Sequence, residues 1–149
     1  MPRKGPLTAG IADDSAVFVD SSAWIALFSR RDQHHVEADR MFRSAVGSKK
    51  LLYTTNLVLA EIHRLLLYRT GSAAAAAALD RIESSPLVRI VFASAAHHQA
   101  GRNWLKKLAA HPISYTDAVG FAVMQHVGCT KALSFDGHFR LAGISFYFH

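Results

Sequence analysis

The chain has 149 residues, 50% of them hydrophobic, and 17 Lys and Arg against 11 Asp and Glu give it a formal charge of +6. That is the size of one domain able to bury its own core, and the basic balance favours an anionic partner such as nucleic acid. The single cysteine, Cys129, excludes an internal disulfide and a thiolate metal centre, and it suits a reducing cytoplasm.

Residues 1–15 carry Arg3 and Lys4 among Pro2, Gly5, Pro6 and Gly10. They hold no apolar run long enough for a signal peptide or a membrane span, and they read as a flexible tail ahead of a domain over 16–149. Val17-Phe18-Val19 is a β-branched and aromatic run, as expected of a strand buried on both faces of a parallel sheet, and Asp20 ends it. Ser21 and Ser22 offer caps to a helix carrying Trp24, Ile25, Leu27 and Phe28. Asp20 therefore falls at a strand-to-helix switch, where open α/β sheets bind ligands.

Apolar residues at helical spacing, from Val36 through Met41 and Phe42 to Val46, predict a second helix from about Asp32 to Ala45, ended by Gly47. Leu51 to Thr55 reads as a second strand, and Asn56 as the cap of a nearly all-apolar helix interrupted by Glu61. Gly71 breaks that helix before the alanine run Ala73 to Ala78, a strong helix former that continues to Ile82. Leu87 to Phe92 is a third strand, and Ser94 caps a helix to about Ala110. His111-Pro112 stops it. Thr116 is the expected cap of a helix from near Asp117, closed by Gly128. Cys129 to Phe135 and Ile144 to Phe148 are the fourth and fifth strands. Strands alternating with helices imply an α/β fold: a central, mostly parallel five-stranded sheet with helices on both faces.

Most acids sit among basic or polar neighbours on amphipathic faces, but four do not. Asp20 and Asp136 end strands, Glu61 interrupts an apolar helix and Asp117 opens one. Each has a plain structural alternative: Asp20 as a cap (though Ser21 and Ser22 already offer that), Glu61 paired with Arg64, Asp117 favouring a helix N-terminus, and Asp136 in an Asp-Gly turn. If the first and fourth strands are neighbours, Asp20 and Asp136 share one sheet edge, and the helices bearing Glu61 and Asp117 can flank it. Grouped carboxylates repel unless protonated or holding a cation, and oxygen ligands suit Mg²⁺ or Mn²⁺.

The ordered motifs Val-Phe-Val-Asp20-Ser-Ser-Ala, Thr-Thr-Asn-Leu-Val-Leu-Ala-Glu61, Ser-Tyr-Thr-Asp117-Ala and Leu-Ser-Phe-Asp136-Gly-His-Phe resemble a PIN-domain ribonuclease, most closely the VapC toxins of VapBC toxin-antitoxin pairs. The resemblance spans roughly Ala16 to Phe148; the tail departs from it, because these toxins commonly begin almost at the first strand. It implies that Asp20, Glu61, Asp117 and Asp136 bind Mg²⁺, or Mn²⁺, and cleave RNA through a metal-activated water, leaving 5′-phosphate and 3′-hydroxyl ends. Ser22 and Ser134 stand where the family carries polar residues beside the metal site. It further implies a cytoplasmic homodimer whose acidic pocket and apolar helices, through Trp24, Phe28 and Leu65, receive a cognate VapB-type antitoxin. A PIN nuclease of ordinary RNA processing, or a binding module without turnover, is the alternative.

Histidine-based cleavage is the rival chemistry. His34-His35 and His97-His98 are adjacent, so on a helix the rings of each pair diverge by about 100° and are expected to be solvated. His34 and His35 also match a structural His at the start of the family's second helix. Arg30, Arg31, Arg40, Arg43, Lys49, Lys50, Arg102, Lys106, Lys107 and Arg140 could each hold phosphates of the substrate, although for any one of them alone a solvated surface position is the better reading. A haloacid-dehalogenase-like phosphatase fits worse, since Ser22 occupies the place of its second Asp.

Overall fold

The computed structural model describes residues 15–147, so residues 1–14 of the tail, Phe148 and His149 lie outside the described residues. Five strands, β1 (Ala16–Val19), β2 (Leu51–Thr55), β3 (Val88–Val91), β4 (Lys131–Leu133) and β5 (Ser145–Phe146), form one sheet in the order β3-β2-β1-β4-β5. All four pairings are parallel. The seven helices described are α1 (Ser21–Phe28), α2 (His35–Gly47), α3 (Asn56–Thr70), α4 (Ser72–Ser84), α5 (Ala95–Lys107), α6 (Tyr115–Val127) and α7 (His138–Leu141). None of them is long and apolar enough to cross a membrane.

All residues of the central strand β1 are buried, as a strand covered on both faces requires. Phe18 faces α6, where a Cβ on Gly120 would lie 3.1 Å from its ring, and α7, whose Phe139 ring is 6.1 Å away. Val17, Leu52 and Val88 are in register across three strands and so share the other face. There Leu52 and Val88 line one groove with Trp24 of α1 and Phe42 of α2.

The expected pairing of the first and fourth strands holds: Phe18 is opposite Ala132 and Val19 opposite Leu133. This brings the ends of β1 and β4 side by side, with the N-termini of α1 and α6 above the same sheet edge. Gly71 and Gly128 end their helices at φ +100° and +76°, a region open to glycine without a Cβ penalty.

Several caps differ from expectation. The N-cap of α1 is Asp20 itself, its Oδ1 accepting from Ala23 N, rather than Ser21 or Ser22. Thr55 and not Asn56 caps α3, because Asn56 Oδ1 is drawn away to Ala93 N at 2.8 Å. Ser114 and not Thr116 caps α6, accepting from Asp117 N. In each case the cap is the residue whose backbone is still extended, a property of the chain's path that composition does not carry. Helix α2 starts at His35, because residues before it form turns, and it includes Gly47. The turn of helix α7 was not anticipated; four residues are too few to show a period.

Candidate active site

Asp20 is 2% exposed, and its two oxygens accept from three donors. Ser22 Oγ donates to Oδ1 at 2.7 Å, Ala23 N to Oδ1 at 3.0 Å, and Ser134 Oγ to Oδ2 at 2.6 Å. Both serines are in turn fixed by the end of β4: Ser22 Oγ accepts from Phe135 N at 2.9 Å, and Ser134 Oγ from Asp136 N at 2.9 Å. Each hydroxyl thus spends its only proton on Asp20. Burial pushes Asp20 up to about 6; the hydrogen bonds of Ser134, Ser22 and Ala23 oppose that shift, and the charge of Asp136 adds to it.

The remaining acids come from the other elements. Glu61, on the second turn of α3, accepts from Ser21 Oγ. Asp117 lies in the first turn of α6, and Asp136 follows β4. With Ser21, Ser22, Ser114 and His138, the four acids line one cavity of about 240 Å³. Asp117 is pushed up to about 8, first by burial, then by the charges of Asp20 and Asp136, a hydrogen bond with Asp136, and the charge of Glu61. The tightest donor group is narrower than four carboxylates: atoms of Asp117, Asp136 and His138 lie within 4.8 Å of one another.

Asp20 is buried and Glu61, Asp117 and Asp136 are half-buried at the carboxyl edge of a parallel sheet, a set of oxygen donors that suits a divalent cation. The PIN domain family model matches residues 17–144. The chain belongs to the PIN-domain family. It is 37% identical over 127 residues to "23S rRNA-specific endonuclease VapC20" from two strains of Mycobacterium tuberculosis, an alignment covering 85% of this chain and 94% of that protein. The crystal structure of Mycobacterium tuberculosis VapC20, described as a Sarcin-Ricin loop cleaving toxin, superposes with a TM-score of 0.78 at 36% identity, covering 86% of this chain and 95% of that one. VapBC2 from Rickettsia felis, bound to a DNA fragment from its promoter, shares the PIN fold at 11% identity and a TM-score of 0.63, covering 89% and 97%.

In this PIN domain all four sequence-selected acids, and Ser22, line the cavity, while Ser134 lies beneath, 7% exposed. Of the histidine pairs, His98 is exposed as expected, its Nδ1 2.8 Å from Tyr115 Oη, but the other three are not simply solvated. His35 Nδ1 bonds Ala26 O at 2.7 Å, and His34 stacks on Phe135 with centroids 4.3 Å apart. His97 is buried against Ser94 and, at 2.9 Å, His126; burial and then His126 hold its pKa below the usual histidine range. Helix contacts, invisible to a count of sequence spacing, decide this. Among the described residues, no Lys or Arg lines the acid cavity. Arg43 is paired with Asp39 at 2.8 Å, Lys107 lies over Trp104, and Arg140 over Phe146.

His138 is the cavity residue that sequence reading passed over. Its Nδ1 is 3.2 Å from Asp136 Oδ1, which also accepts the His138 backbone N–H at 2.9 Å. The signal was its place two residues after Asp136, within reach of an Asx turn.

Proposed function

We propose that this PIN domain is a divalent-metal-dependent endoribonuclease, the toxin of a toxin-antitoxin pair. The observation that carries the reading is the meeting of Asp20, Glu61, Asp117 and Asp136 in one cavity, in a chain 37% identical to an enzyme named a 23S rRNA-specific endonuclease. The donor set fits Mg²⁺ or Mn²⁺: hard oxygen ligands, two of them with pKa values raised first by burial and then by the charges of neighbouring acids. A divalent cation held by these acids would supply a polarised water for attack on the phosphodiester and offset charge on the leaving oxygen.

The chain's own residues do the positioning. Ser22, Ser134 and the Ala23 N–H occupy three of the roughly four acceptor sites of Asp20, leaving one for an ion in a fixed direction. Ser22 and Ser134 are therefore positioning residues. Ser21 orients Glu61 in the same way. With water and not the ribose 2′-hydroxyl as the attacking group, the products would carry 5′-phosphate and 3′-hydroxyl ends. Ribosomal RNA is the first substrate to try, given the relative's name. Incubating the protein with ribosomal RNA and Mn²⁺, then sequencing the new 5′ ends, tests the reading. Intact RNA, or ends with 5′-hydroxyls, would count against it.

An antitoxin partner would bind an apolar groove beside α1. Trp24, Phe28 and Phe42 line an apolar groove of about 520 Å³ that also includes Asp39, Arg43 and Arg81. The groove runs between α1, α2 and α4; Leu65 of α3 does not line it. Trp24 Nε1 is a buried donor without a hydrogen-bond partner among the described residues, ready for an acceptor on an incoming apolar helix. Co-expression with the product of a neighbouring small gene, followed by gel filtration, tests this. Separate elution of the two proteins would remove the partner.

A further inference from the structure

One side of the acid cavity carries a nitrogen among its oxygens. A His138 ring nitrogen and one carboxylate oxygen each from Asp117 and Asp136 lie within 4.8 Å of one another. An ion with bonds of about 2.1 Å sets opposite ligands roughly 4.2 Å apart, so small side-chain rotations would close these atoms on one ion.

The imidazole is held there by the fold. The His138 N–H donates to Asp136 Oδ1, and the next residue, Phe139, is fully buried with its ring 5.1 Å from Phe121 and 6.1 Å from Phe18. The backbone of His138 is thus fixed on both sides of the residue. Its ring, 33% exposed, remains at the cavity with Nδ1 beside Asp136.

We infer that His138 is a metal ligand, completing an Asp117, Asp136 and His138 set that favours Mn²⁺ over Mg²⁺. This rests on the metal-dependent reading above. Mg²⁺ takes oxygen ligands and keeps its waters, whereas imidazole suits transition-metal ions, so one nitrogen in a carboxylate site shifts the preference toward Mn²⁺.

Pulsed electron paramagnetic resonance on the full chain loaded with Mn²⁺, prepared with ¹⁴N- and with ¹⁵N-histidine, tests it. A nitrogen coupling that changes with the isotope in the wild type and vanishes in His138→Gln is expected. Mn²⁺ affinity should fall by about tenfold or more in that variant, a loss typical of disturbing a ligand shell, and Mg²⁺ affinity should fall much less. Mn²⁺ bound at the wild-type site without a histidine coupling, or a coupling that survives in His138→Gln, would overturn the assignment and leave the carboxylate site standing. Failure of the wild type to bind Mn²⁺ at all would bring down both. If His138→Gln folds poorly, His138→Asn takes its place, and the isotope comparison on wild-type protein still overturns the assignment if no histidine coupling is seen.

Discussion

Ser134 Oγ donates to Asp20 Oδ2 at 2.6 Å, joining the end of β4 to the end of β1 across 114 positions of sequence. The bond is buried, and among the groups that hold Asp20 ionised it is the strongest. Through Asp136 N, the same hydroxyl couples the first acid to the last.

Ser134→Ala should therefore raise the Asp20 pKa further and lower stability at neutral pH by roughly 1.5–3 kcal/mol, the range for a hydrogen bond to a buried charged group. Ser134→Thr should retain most of both. Thermal melts at pH 7, with the pKa followed by carboxyl NMR, check the two variants.

Asp20→Asn, Glu61→Gln, Asp117→Asn and Asp136→Asn should each abolish RNA cleavage while far-UV circular dichroism stays unchanged, because losing one ligand charge weakens the ion and misplaces the water. Full activity in Glu61→Gln would remove that residue from the site.

Stability without metal should fall as pH rises. Asp20 and Asp117 have folded pKa values of about 6 and about 8 against an ordinary 3.8, so the folded state holds protons more tightly than the unfolded chain. Their contribution is fully present below pH ~4 and is lost as pH climbs through about 6 and then about 8. A divalent ion at ~100 times its Kd should return roughly 2.7 kcal/mol, several degrees in Tm. Asp117→Asn should be more stable than wild type at pH 8 without metal and respond less to it. A wild-type melt indifferent to millimolar Mn²⁺ at pH 8 would contradict the clustering.

Gly101→Ala should loosen the α5–α6 pair. A Cβ there would lie 3.0 Å from Val119 Cγ2 and 3.3 Å from Val119 N, and backbone cannot yield as a side chain can. A loss of about 1–3 kcal/mol is expected from overpacking, read by urea denaturation. Activity should fall with it, since α6 also carries Asp117.

Local chemistry made much of this legible in advance. The β-branched run before Asp20, the apolar helix around Glu61, the alanine run and the two helix-ending glycines each dictate their own element, because strand burial, helix propensity and positive φ are properties of a few consecutive residues. Alternation of those elements predicts a parallel sheet, and the acids at their junctions could be chosen from context alone. What only the tertiary structure decided is which partner each polar group takes. Thr55, Asp20 and Ser114 became the caps, Asn56 was claimed by Ala93 N, and the histidines found Ala26, Phe135 and His126. Ser22 and Ser134 turned out to point at Asp20, and His138 to stand among the acids. Hydrogen bonds reach about 3 Å in space with no limit in sequence, so residues 114 apart can be nearest neighbours once β1 and β4 pair.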